Sequence, residues 1–275
     1  MTMDGHPLVR SLREAGELDP YFDMPVSNVN ETGWSPATDL FQVGDASLRE
    51  LVMSYGYARW GTSNNHVAAS AFMIAYLTRF IYPMVGQYVL SRRVPRLTLE
   101  NLAFHRTNGR IDATGLRQPQ FAVLPDDPAA GHPDAEVLHS ETDLYRRLKD
   151  WAFESNVEIV IETLCRSVPA SVNVSLNAVA ASCSQALHRL YNRVEDKSLV
   201  LGAAENLFGD PSSPIYRQVS MEVIEHRGKS GFFARRRGCC LVWRTRRDNG
   251  YCSNCILQPR EEQTREFKAM LERVN

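Results

Sequence analysis

Four cysteines fall within one short basic segment, RRRGCCLVWRTRRDNGYCSNCILQ, from Arg235 to Gln258. Cys239 and Cys240 are adjacent, and Cys252 and Cys255 follow as C-x-x-C, so the pattern is C-C-x11-C-x2-C. The whole chain holds six cysteines, and four of them crowd here. Three chemistries use such a set. A disulfide between neighbours closes a strained ring, and a reducing compartment disfavours disulfides generally. Structural zinc takes four thiolates in a tetrahedron, normally offered by two C-x-x-C knuckles; Cys252 and Cys255 make one, and the vicinal pair is an awkward second. A [2Fe–2S] cluster also takes four thiolates, but only two sulfurs must meet at each iron, so unusual spacings serve. Residue chemistry favours the cluster and leaves zinc open.

The charge around these cysteines is one-sided. Between His226 and Arg260 there are nine Lys or Arg residues and one acid, Asp248, in a chain whose net charge is −1. Four thiolates around an oxidised [2Fe–2S] core carry a charge of about −2, and about −3 after one electron is added, which a field of arginines stabilises. Arg244, Arg246 and Arg247 lie between the ligand pairs, and Arg235 to Arg237 precede them. Some of these are expected to hold an anionic substrate or an acidic partner, with simple charge compensation as the alternative. Trp243 and Tyr251 are expected to cover the centre and limit its contact with water. A basic loop on a zinc knuckle is also a way to bind RNA. No helix-turn-helix with a basic recognition helix accompanies it, so no nucleic-acid partner is expected.

Elsewhere the chemistry-bearing residues read as structure. Cys183 falls on the apolar face of a helix and Cys165 follows Ile159, Ile161 and Leu164, as core thiols do. The seven histidines show no ligand spacing. His188 and His226 could approach the cysteines only through the fold. No G-x-G-x-x-G or comparable nucleotide loop is present, so no NAD(P)H or flavin site is expected.

The elements that must position the cysteines are mostly helical. Helices are expected near Pro7–Glu17, from a cap at Asp45 or Ser47 to about Ala58, and over Val67–Arg92, with a kink near Pro83. Alternation around Leu97–Leu102 and the turn Thr107–Gly109 predict a small antiparallel sheet, with a further strand at Phe121–Leu124. The turn-rich stretch Pro125–Glu136 reads as a linker. Beyond it, helices are expected from Ser140 to Glu154, over Val157–Arg166, through Leu176, Val179, Ala180, Cys183, Leu187, Leu190 and Val194, and over Glu261–Val274. The expected class is α+β: an N-terminal subdomain over residues 1–125 with helices and a small antiparallel sheet, then a helical subdomain over 137–275 ending in the cysteine loop, 235–258, and a closing helix. The run Ala71–Leu90 approaches the length of a membrane span, but Arg79, Pro83 and Gln87 make it read as a buried helix, so no stable membrane span is expected. The N-terminus carries charge throughout and lacks an export signal, so a cytoplasmic location is expected.

The C-terminal segment resembles the FhuF-like ferric-siderophore reductase family. That family runs from arginines into a vicinal Cys-Cys pair, an apolar-aromatic strand, a C-x-x-C and a closing helix. RRRGCCLVWR, GYCSNCIL and the helix from Glu261 match those parts in order, over about the last 45 positions. The spacer of eleven is one residue longer than in the best-known member, and Ile256 stands where proline is usual. The resemblance implies that Cys239, Cys240, Cys252 and Cys255 ligate a [2Fe–2S] cluster. It implies an oxidoreductase that reduces siderophore-bound Fe(III), with a ferric siderophore as substrate. Fe(II) is softer and less charged, so hard oxygen donors release it. Electrons would then come from a ferredoxin or ferredoxin reductase. Related domains also sit beside siderophore synthetases, so a non-catalytic siderophore-binding or biosynthesis-associated protein is the alternative, and a zinc- or cluster-based sensor a third.

Overall fold

Three helices begin the chain of this computed structural model, which describes residues 5–26, 31–41, 46–107, 110–245 and 251–273. Proline at the first position and a capping His6 start α1, Pro7–Leu18. Helix α2 spans Ala46–Trp60; Asp45, a cap expected from sequence, lies outside the described residues. Asn64 caps α3, Asn65–Ser91, by accepting from the Val67 N–H. This helix is the apolar run, and 78% of its most hydrophobic window is buried inside the protein. Pro83 lies within it, and Arg79 folds back onto the Ala75 carbonyl.

Two three-stranded sheets lie in the N-terminal half, where one was expected. Strands β1 (Trp34–Pro36), β2 (Val94–Pro95), β3 (Leu102–Thr107), β4 (Arg110–Leu116), β5 (Phe121–Val123) and β6 (Ala135–Val137) follow in chain order. The first sheet, β1–β3–β4, is antiparallel throughout. The second, β2–β5–β6, is mixed because β6 joins β5 in parallel.

Where two helices were expected after Ser140, one helical run continues to Ser167. Helix α4, Glu141–Leu148, passes through a π-helical stretch, Lys149–Glu158, into α5, Ile159–Ser167. The wide π turn accommodates Asn156, which is wholly buried yet hydrogen-bonded sideways: it accepts from the Tyr76 hydroxyl and donates to the Leu97 carbonyl. Ser171 caps α6, Val172–Tyr191, and Asp196 caps a short α7, Lys197–Ala204, that local pattern did not suggest. The C-terminal half then forms a hairpin, β7 (Val219–His226) and β8 (Lys229–Arg236), before α8, Arg260–Arg273.

The hairpin was absent from the sequence expectation, although its turn has a local signal. Arg227 and Gly228 both adopt left-handed backbone, φ 51° and 76°, which is the two-residue turn that suits strand twist. The helices dominate and the sheets stay small, so the class is α+β. The main core runs from Leu8 to Phe232, with α3 packed along α6. A second, small core of Phe233, Phe267 and Leu271 joins the hairpin to α8. Consecutive phenylalanines thus serve opposite faces of β8: Phe232 meets Tyr191 of α6 and Phe233 stacks on Phe267 of α8.

Candidate metal centre

The end of β8 delivers the chain to the vicinal cysteines, and distant helices hold it there. Gly238 presses on α6 so closely that an added Cβ would stand 1.9 Å from Asn177 Cγ. The Ser70 hydroxyl, from α3, donates to the Cys240 carbonyl at 2.7 Å in a buried bond. Leu241 then takes a left-handed conformation, φ 63°, that a branched side chain rarely adopts. The bend turns successive amides toward sulfur. The Leu241 N–H reaches Cys239 Sγ at 3.3 Å, and the Val242 N–H favours the ionised Cys240 sulfur. A left-handed residue followed by a helical one presents adjacent N–H groups to an anion. Strain of this kind persists only where the surroundings impose it.

The second pair closes onto the first. The Cys252 and Cys240 side chains are hydrogen-bonded to each other. That bond, with the Arg236 guanidinium beside it, holds the Cys240 thiol below the usual range although burial opposes the shift. The same bond pushes Cys252 upward. Cys240 and Cys255 are buried, Cys239 is half-buried and Cys252 is exposed. The C-x-x-C turn is tied by Cys255 N–H to the Cys252 carbonyl at 2.9 Å.

Arg235 and Gln263 fix this turn to the rest of the fold. Arg235 is buried and ion-paired with Glu222 across the hairpin; it also donates to the Arg260 carbonyl, Gln263 Oε1 and the Thr264 hydroxyl. Its guanidinium lies 5.1 Å from the Phe267 ring centre. Gln263 in turn donates to the Cys255 carbonyl at 2.9 Å and to that of Gln258. Arg235 is therefore a positioning residue, and Arg236 is the cation that faces sulfur. Arg236 Nε and Nη2 are buried without a hydrogen-bond partner among the described residues. Burying two such donors is costly unless an anion meets them. A sulfur that accepts a backbone N–H, next to a guanidinium with two unpartnered nitrogens, fits a thiolate-ligated anionic cluster.

Other expected residues are placed differently. Arg244 is exposed, with its guanidinium 5.3 Å from the Trp243 ring centre. Arg246 and Arg247 lie outside the described residues. Trp243 and Tyr251, expected as a cover, are 46% and 49% exposed. His226 pairs with Glu272. His188 lines a cavity with Cys252, and its Nδ1 bonds the Phe232 carbonyl at 2.8 Å. Cys183 is fully buried, which raises its thiol pKa, and Cys165 is partly buried against the core. Ser70 and Asn177 carry no sequence signal because their partners, Cys240 and Gly238, are far away in the chain, and no local pattern assigns Gln263 to the Cys255 carbonyl.

Among the described residues, His6, His132 and Asp134 bring ligand-type atoms within 4.8 Å of one another. Their hydrogen bonds account for that closeness. The Nδ1 atoms of His6 and His132 accept the Leu8 and Asp134 amide N–H groups, each at 3.2 Å. Nε2 then carries the proton, and in His6 it faces Asp134 Oδ2 at 3.2 Å. A metal on these Nε2 atoms would require both tautomers to change.

No protein-family model matches this sequence. No curated protein matches it either. Solved structures align with part of it. Aerobactin synthetase IucA from a hypervirulent pathotype of Klebsiella pneumoniae aligns with 66% of this chain and 37% of its own, at 17% identity and a TM-score of 0.49. Its ATP-bound form aligns with 64% and 32%, at 16% identity and a TM-score of 0.47. Aerobactin synthetase IucC from the same source aligns with 62% and 31%, at 14% identity and a TM-score of 0.46. The chain thus spans about a third of the length of each. These likenesses concern fold outline and place no activity on this chain. None of these structures is named as a reductase, and the oxidoreductase reading is withdrawn.

Proposed function

We propose that this chain is a siderophore-associated iron–sulfur protein that holds a [2Fe–2S] cluster on Cys239, Cys240, Cys252 and Cys255 and serves siderophore binding or assembly without itself being a catalyst. The observation that carries the proposal is the anion-ready setting of the cysteines: an amide N–H on Cys239 Sγ, another that favours ionised Cys240, and the buried Arg236 donors beside them. When bound, such a cluster supplies a one-electron centre of net negative charge. The chain's own residues do the holding. Leu241 and Val242 offer N–H groups to the vicinal sulfurs, Arg236 offsets their charge, and Ser70 and Gln263 pin the carbonyls of Cys240 and Cys255. Support for the siderophore part is the resemblance of the C-terminal segment to a family whose related domains sit beside siderophore synthetases. Of the readings left open by the sequence, the biosynthesis-associated one is also compatible with neighbours that are aerobactin synthetases.

Anaerobic purification and reconstitution test the centre. The expected product is red-brown, with about two irons and two acid-labile sulfides per chain and an EPR signal on reduction. Colourless protein that carries a single zinc after reconstitution refutes it.

A further inference from the structure

We infer that the cavity beside Cys252 is a binding site for a siderophore bearing a free carboxylate, with the acid group at Arg189 and Arg193 and the rest of the molecule over Phe233, Phe267 and Met270. The inference rests on the siderophore reading above and adds the place and the chemical feature recognised. The cavity has a volume of about 530 Å³, within the range of sites that enclose small molecules.

One wall is formed by the C-terminal part of α6 and the turn after it. Ser184, His188 and Arg189 lie on the helix, and Asn192 and Arg193 follow its end at Tyr191. At 1.5 Å per residue, Ser184 and Arg189 are roughly 7.5 Å apart along the helix. Cys252 lines the cavity, and Gly238, next to the vicinal cysteines, packs on Asn177, upstream of Ser184 on the same helix, so the cysteine side and the arginines lie toward opposite ends of the wall. Phe233, Phe267 and Met270 face the space from the hairpin and α8. A ligand lying along the wall would place one end near the cysteines and the other against guanidinium groups.

Charge sets what that far end accepts. Arg189 and Arg193 share a single carboxylate, Asp19, at 2.7 and 3.0 Å. One positive charge is left over, and no acid lines the cavity among the described residues. Both cations are held in place: Arg193 also donates to the carbonyls of Leu18 and Arg189, and Arg189 sits 4.5 Å from the Tyr21 ring centre. About a third of each side chain remains exposed, 37% and 36%, so each can take a further oxygen. A carboxylate there gains charge-assisted hydrogen bonds to groups already ordered. Midway, His188 donates its Nδ1 proton to the Phe232 carbonyl, which leaves Nε2 as an acceptor for a ligand amide or hydroxyl.

The test compares two Fe(III) complexes by calorimetry on the cluster-loaded protein at low salt. One is a citrate-based dihydroxamate with free carboxylates, and the other is a neutral trihydroxamate. Binding of the first about tenfold tighter or more is expected, as for a hydrogen bond to a charged group. Arg193→Gln should remove most of that preference, and Met270→Trp, which fills the cavity, should abolish binding of both while the cluster spectrum persists. Equal affinity of the unmodified protein for the two complexes overturns the inference, without reliance on any variant. Undiminished binding by a folded Met270→Trp protein also overturns it. The two readings separate cleanly: discrimination by protein that takes up no cluster refutes the cluster and keeps the cavity, whereas a cluster without discrimination does the reverse.

Discussion

Replacing Gly238 by alanine tests whether α6 sets the position of the vicinal cysteines. The backbone there is not left-handed, so the cost comes from contact alone. The new Cβ would lie 1.9, 2.0 and 2.1 Å from Cγ, Oδ1 and Nδ2 of Asn177, far inside van der Waals contact. Two responses are open. Asn177 can swing away and lose its bond to the Asn173 carbonyl, a cost of about 0.5–1.5 kcal/mol. Alternatively residues 238–240 move, at the cost of about 1–3 kcal/mol typical of overpacking. Thermal unfolding of the metal-free protein should therefore fall by roughly 1–12 °C, at about 2–4 °C per kcal/mol for a chain of this size. Iron loading should fall as well, because Cys239 follows directly. Asn177→Ala removes the offending atoms, and with them an Oδ1 that is buried without a partner among the described residues. The double variant Asn177→Ala/Gly238→Ala should recover both melting temperature and loading, with a coupling energy of about 1 kcal/mol or more. If Gly238→Ala behaves as the parent protein, or if the double variant is no better than the single one, the packing argument is wrong.

Arg236→Gln should act in opposite directions on the two forms. It removes buried guanidinium donors that lack partners, so the metal-free protein should keep its stability or gain about 1 kcal/mol, while the iron-loaded protein should lose stability. An equal loss in both forms, by thermal denaturation, counts against a role in charge compensation. His188 should make stability depend on pH. Burial lowers its pKa in the folded protein, below the unfolded value of about 6.5. The unfolded chain therefore binds the proton first, so this contribution is complete above about pH 6.5 and is lost as pH falls toward the folded value. Burial lowers the pKa of His6 too, so it adds in the same sense. Urea midpoints measured at pH 7.5 and 5.5 should differ less in His188→Gln than in the parent; an unchanged difference refutes the assignment.

The residues by themselves determined what depends on neighbours in the chain. Cysteine spacing identified the candidate ligands, and the charge count showed a positive field around them. The apolar run of α3 and the apolar face of α6 marked the buried helices, and Ser140 marked a helix start, because caps and faces act within a turn or two. Even there local pattern erred. It divided the run from Glu141 to Ser167, since nothing local shows that Asn156 will be satisfied by Tyr76 and Leu97. It also omitted the hairpin that carries the chain into the site.

Only the tertiary structure decided which basic residue does what. Arg235, Arg236 and Arg244 are alike in sequence, yet one ties α8 to the hairpin, one lies against Cys240, and one stands in solvent on Trp243. The same holds for the contacts that fix the cysteines. Ser70 meets Cys240 across 170 positions, and Asp19 meets Arg189 across another 170. Hydrogen bonds and ion pairs of this reach form when packed helices bring distant side chains together, and no spacing rule within a segment records them. The residues therefore specify a set of thiols and charges, and the packing of α3, α6, the hairpin and α8 determines the arrangement in which they meet.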